Sequence, residues 1–105
     1  MVAVSEVFKV WQEGFANKDS SKLAEYFTED FRFVSRQRDM SKQETLDWTA
    51  GGSQVIDNLR VIYENDEIAV IHQSANRADG DGITMGVYTK KDGEISRCES
   101  VRTAL

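Results

Sequence analysis

The feature that most restricts this chain is a change of hydrophobic period at Gly51-Gly52. Before it, apolar residues recur mainly at helical spacing. After it, they alternate, and the alternating runs are separated by short polar turns. Residues 54–63, 68–77, 83–89 and 94–103 read as strands, with turns at Asn65-Asp66-Glu67, Asp79-Gly80-Asp81-Gly82 and Lys91-Asp92-Gly93. Four consecutive strands on short turns make an antiparallel meander. The Asp-Gly at the tip of the last turn is a strong hairpin signal.

The part before Gly51 supplies the other layer. Val4, Phe8, Trp11 and Phe15 recur at spacings of four, three and four, which draws one apolar stripe along a helix over 4–17. Asp19 is placed to cap a second, short helix whose apolar face is Leu23, Tyr26 and Phe27, ending at Thr28-Glu29-Asp30. Residues 31–36 alternate and read as a strand, with Phe31, Phe33 and Ser35 on one side. Gln37-Arg38-Asp39 reads as a polar connection. Ser41-Lys42-Gln43-Glu44 has the form of a capping box and opens a third helix carrying Leu46 and Trp48. The expected order is α-α-β-α-β-β-β-β over a single domain of 105 residues. This is an α+β fold: three helices packed on a strongly curved antiparallel sheet as a cone-shaped barrel. A bent sheet only partly covered by helices leaves a wedge, and a wedge becomes a pocket.

Charge and composition narrow the partners. The formal charge of −5 disfavours a phosphate backbone or an anionic membrane surface as the main partner. No stretch approaches the ~18 apolar residues of a membrane span. Met1 to Phe8 has no basic segment followed by an apolar run, so no signal peptide is expected. The single cysteine, Cys98, has no internal disulfide partner, which suits a reducing, cytoplasmic setting. It reads as a small packed residue. One His and one Cys are too few for a zinc site. Asp79-Gly80-Asp81-Gly82 does not continue as a calcium loop, and no phosphate-binding glycine loop appears, so neither metal nor cofactor is expected.

The Phe8 to Phe15 stretch (Phe-x-x-Trp-x-x-x-Phe), then Asp19 to Phe27, Asp30 to Ser35, Ser41 to Trp48 and the closing Lys91-Asp92-Gly93-Glu94-Ile95 resemble the NTF2-like superfamily, with its SnoaL-like and ketosteroid-isomerase-like members. The resemblance implies a cone-like barrel with an internal cavity and frequent dimerisation through the outer sheet face. It spans isomerases, cyclases, dehydratases and hydrolases as well as noncatalytic binding modules. Ketosteroid-isomerase-like members carry an acidic base near the end of the first strand; here that position is Ser35, whose hydroxyl needs an activating partner to act as a base. Asp39 follows four residues later.

His72 lies mid-strand on a face with Val70, Ser74 and Asn76. It reads as a general base or donor if that face is inward, and as a solvent or dimer-face residue if it is not. Arg97 and Glu99 share a parity with Ile95 and Val101, so they form a buried polar couple if those two point inward, and otherwise a surface or interface pair. The candidate catalytic set is therefore His72, Ser35 and Glu99. The candidate ligand-binding set is Trp11, Phe15, Phe33, Trp48 and Arg97, with the aromatics as core, wall or both. Two functions follow. One is a pocket protein for a small hydrophobic molecule, with proton transfer or water addition and elimination as its chemistry. The other is a noncatalytic dimerisation or ligand-binding module. A homodimer is expected in either case.

Overall fold

A computed structural model describes residues 2–105. The first helix, α1 (Val4–Asn17), buries Val4, Val7, Phe8, Val10, Trp11, Gly14 and Phe15. The apolar stripe is thus its packed face. Lys18 closes the helix at φ 54, its amide donating to the Gly14 carbonyl.

The second helical segment is shorter than the sequence suggests. Asp19 accepts hydrogen bonds from the Ser21 amide and hydroxyl at 3.0 and 2.7 Å, and only a single 3-10 turn, Leu23–Tyr26, follows. Leu23 is the sole buried residue of that turn. A short helix with one anchor has little packing to offset its nucleation. The molecule therefore has two α-helices and a 3-10 turn rather than three helices. Thr28-Glu29-Asp30 does not end a helix but lies inside the first strand, β1 (Phe27–Ser35).

A three-residue strand, β2 (Asp39–Ser41), pairs antiparallel with β1. The second helix, α2 (Lys42–Ala50), opens on the expected capping box. The Ser41 hydroxyl accepts from the Glu44 amide at 3.2 Å, and the Glu44 carboxylate accepts from the Ser41 amide at 3.0 Å. The meander follows as β3 (Gln54–Glu64), β4 (Ile68–Arg77), β5 (Gly82–Lys91) and β6 (Glu94–Ala104). Asp92 and Gly93, at φ 52 and 79, fill the two central positions of a primed turn between β5 and β6.

The sheet has six strands in the order β2-β1-β6-β5-β4-β3. It is not wholly antiparallel: β1 runs parallel to β6. Turn chemistry fixes only the strands it joins. The chain leaves β1 through α2, and a connection of that length allows either direction. Register shifts interrupt the ladder twice between β3 and β4, once between β5 and β6 and once between β1 and β6. At the first of these, Asn58 takes up φ 55. Such bulges bend a strand and deepen its twist, which gives the sheet the curvature that α1 and α2 partly fill.

Two polar devices hold the layers together. Trp11 Nε1 donates to Thr49 Oγ1 at 2.9 Å, and that hydroxyl donates to the Thr45 carbonyl at 2.9 Å. The helices meet closely at this point, since a Cβ on Gly14 would lie 3.0 Å from Thr49 Cγ2. At the other end, the buried Lys90 Nζ donates to Glu64 at 2.7 Å and to the Asn65 carbonyl at 2.9 Å. Glu64 also accepts from the Val4 amide at 2.7 Å, joining β5, β3 and the start of α1. Among the described residues, no helix is long and apolar enough to cross a membrane.

Candidate ligand pocket

Between the two helices and the concave sheet face lies a hollow of about 50 Å³. That is room for a few non-hydrogen atoms or waters, well below the ~300–1,000 Å³ of a drug-sized site. Trp11, Phe15, Phe33, Trp48 and Tyr88 form its aromatic wall, while Ile71 and Cys98 lie on the sheet side. The rings hold one another edge to face. Trp11 lies 5.9 Å from Phe33 and 6.3 Å from Tyr88, and Phe15 lies 5.1 Å from Trp48.

Half-buried polar residues surround this apolar interior: Ser35, Gln54, Ser100 and the three arginines Arg38, Arg77 and Arg102. Arg38 stacks its guanidinium 4.7 Å from the Trp48 ring centroid. The indole Nε1 of Trp48 is buried and has no hydrogen-bond partner. Burial pushes the Tyr88 hydroxyl well above its ordinary pKa and the Cys98 thiol up to about 12, so both stay protonated through the neutral range. No carboxylate, imidazole or amine lines the hollow.

No family model and no curated protein matches the chain. Solved structures do. An NTF2-like protein of unknown function from Cytophaga hutchinsonii superposes with a TM-score of 0.76 at 10% identity, covering 98% of this chain and 92% of that one. The chain has the NTF2-like fold. A candidate polyketide cyclase from Sinorhizobium meliloti gives 0.73 at 18% identity, with 90% and 93% covered. A candidate ketosteroid isomerase from Kribbella flavida gives 0.74 at 12% identity, with 95% and 77% covered. At such identities the likeness concerns the fold, and the NTF2-like fold hosts many chemistries.

Within this NTF2-like framework the residues singled out from sequence divide into two groups. Trp11, Phe15, Phe33, Trp48 and Ser35 all border the hollow. The Ser35 hydroxyl is occupied as an acceptor, taking the Arg38 and Gln37 amides at 3.1 and 3.3 Å. It shapes the turn into β2, and no base lies within hydrogen-bond reach of it.

His72, Arg97 and Glu99 are on the opposite, outer face of the sheet, where His72 and Glu99 line a broad, open depression of about 860 Å³ that Ser35 also borders. His72 pairs with Arg60 and Met85, and its neighbours Ile71 and Gln73 are the residues that point inward. Arg97 donates to Glu99 at 2.8 Å in an exposed pair, 44% and 58% accessible. Of the two alternatives left open by parity, the surface pair is the one formed, and a bulge is the reason. Lys90 pairs with Ile95 and Thr89 with Arg97, leaving Ser96 as an extra residue. Ile95 is therefore fully buried while Arg97, two residues on, faces out. Val101 follows Arg97 outward at 68% accessibility.

The three arginines were not singled out from sequence. For Arg102 and Arg77 the signal lies in strand parity, whereas Arg38 sits in a loop that has none. Arg102 shares the side of the buried Cys98, and Arg77 the side of the buried Ile71, Gln73 and Ala75.

Proposed function

We propose that this chain binds a small organic molecule in the hollow between its helices and sheet, and that it does so as a binding module without a resident acid–base catalyst. The observation behind this reading is the lining itself. Aromatic walls and a rim of fixed donors suit recognition. A general base needs a pKa near the working pH, and the titratable groups in the hollow are arginines, a buried tyrosine and a buried thiol. The test is calorimetric titration and thermal shift with small apolar and aromatic compounds. Binding should quench the fluorescence of the wall tryptophans and weaken in Trp48→Ala. No heat and no shift from any compound at millimolar concentration would remove this reading.

A second reading is supported by two structural neighbours, the candidate polyketide cyclase and the candidate ketosteroid isomerase. Here the hollow would promote proton transfer or water addition and elimination, with bound water or the substrate's own groups moving the proton. Solvent deuterium exchange into a bound ketone, faster than in buffer alone, would favour catalysis over binding.

The outer face supports a homodimer. Met85 (47% accessible) and Val101 (68%) lie together there, bordered by His72, Glu99 and Arg97. An exposed apolar sheet centre with a polar rim has the anatomy of an interface. In this reading the roles of His72, Arg97 and Glu99 belong to the dimer face. Val101→Glu should give a monomer by light scattering where the parent chain is a dimer. The lone buried thiol fits residence in the cytoplasm, which fractionation would check.

A further inference from the structure

The chain as a whole is acidic, with 18 Asp plus Glu against 13 Lys plus Arg. Its hollow has the opposite sign. Arg38 comes from the loop between β1 and β2, Arg77 from the end of β4 and Arg102 from β6, and all three border the same space. Among the described residues none of the three forms an ion pair, and Asp79 acts on Arg77 only from a distance. The ion pairs among the described residues are Arg32–Asp39, Lys42–Glu29, Lys90–Glu64 and Arg97–Glu99.

Their hydrogen bonds are few as well. Arg77 donates from Nε to Gln54 at 3.3 Å, and Arg102 donates to the Ala75 and Gly80 carbonyls at 3.2 and 2.9 Å. A guanidinium has five N–H donors, so most of theirs remain open. Burial, together with the charges of Arg102 and Arg38, lowers the pKa of Arg77 against the opposing charge of Asp79, as expected where like charges crowd. Gly82 shapes the cluster: a Cβ there would lie 2.5 Å from Arg102 Nε. The buried, unpartnered Nε1 of Trp48 adds one more donor on a residue of the same hollow. The buried Trp48 donor calls for a missing acceptor, and the half-buried guanidiniums beside it hold further open N–H groups.

We propose that Arg38, Arg77 and Arg102 form the seat for the carboxylate of a small organic acid whose short apolar body rests against the aromatic wall. This rests on the reading of the hollow as a ligand site. Planar guanidinium forks match carboxylate and phosphate oxygens alike. The wall decides between them, since aromatic rings offer an inorganic phosphate nothing but desolvation, whereas they cover an alkyl or aryl group. The small volume favours a short body, of which only the few atoms next to the carboxylate lie inside the hollow as it stands.

The experiment is calorimetric titration of the whole chain with butyrate and benzoate, with butyramide and benzamide as neutral isosteres, and with inorganic phosphate. The acids should bind at least tenfold more tightly than their amides, a factor one charge-assisted bond supplies, and should weaken as salt rises. Arg77→Gln, Arg102→Gln and Arg38→Gln should each weaken benzoate about tenfold or more and leave benzamide unchanged. Gly82→Ala should do so by displacing Arg102 without removing its charge. Lys9→Gln, an exposed cation on α1 away from the hollow, should change nothing. If Arg102→Gln fails to fold, Arg38→Gln and Arg77→Gln carry the test, since neither of those side chains donates to a backbone carbonyl.

Equal affinity for acid and amide, or full benzoate affinity in the Arg77 and Arg38 variants, overturns the carboxylate seat and leaves the hollow a site for neutral molecules. Phosphate binding as tightly as benzoate overturns the choice of carboxylate. Silence from every probe, neutral and charged, overturns the ligand site itself.

Discussion

The Arg38 guanidinium covers the face of the Trp48 ring, while the N–H at that ring's edge is buried with nothing to accept it. One side chain thus combines a satisfied surface with an unsatisfied donor. Trp48→Phe removes the donor and keeps most of the ring. It should leave stability within about 1 kcal/mol of the parent, because a buried group without a partner contributes nothing favourable when folded. Urea unfolding followed by circular dichroism reads the difference.

The other tryptophan should behave oppositely. Trp11 Nε1 donates to Thr49 Oγ1 in the packed space between the helices. Thr49→Val keeps the shape, removes the acceptor and leaves a buried N–H alone. A loss of about 1–3 kcal/mol is expected, visible as a lower urea midpoint with an unchanged slope.

Lys90 and Glu64 should make the fold acid-sensitive. Burial alone would raise the Glu64 carboxyl, but the bonds from Lys90 and the Val4 amide outweigh it and bring the pKa below the ordinary value of 4.5. A carboxylate depressed in the folded state stabilises fully above its unfolded pKa, and that contribution fades as pH falls through the folded value. Thermal midpoints should therefore drop below about pH 4.5. Lys90→Met leaves Glu64 without its cation, costs on the order of 3 kcal/mol at neutral pH and flattens the acid limb.

Cys98 should be inert while the chain is folded. Its thiol is buried and pushed up to about 12, so almost no thiolate exists at pH 8. An Ellman-type reagent should label it only in denaturant. Because the folded pKa is raised, this group's contribution holds below the ordinary value of 9.0 and is lost as pH rises towards 12. Fast native labelling at pH 8 would contradict the packing described.

Local chemistry carried most of the legible fold. The Ser41–Glu44 capping box, the Asp92-Gly93 turn and the stop at Gly51-Gly52 each act within a few residues, so the sequence displays them directly. The stripe from Val4 to Phe15 and the aromatic parity of Phe31 and Phe33 predict which side faces the core. What escaped depends on distant partners. The parallel pairing of β1 with β6 joins strands from the two ends of the order. The one-turn Leu23–Tyr26 segment shows a cap and an apolar pair, but too few packing contacts to extend into a helix. The candidate site divided likewise. Aromatics declare themselves by periodicity, whereas His72, Arg97 and Glu99 needed a face assignment that a single bulge reversed, and the three arginines drew no notice as ordinary surface charges.

The unpaired Ser96 has an effect out of proportion to its size. Were Ile95 and its successors to alternate without interruption, Arg97 and Glu99 would enter the hollow together and Arg102 would leave it. A slip of one residue in the last strand thus decides whether the interior receives a carboxylate from β6. A protein with the same composition and a smooth β6 would carry its own counter-ion inside, where this one leaves the cations open.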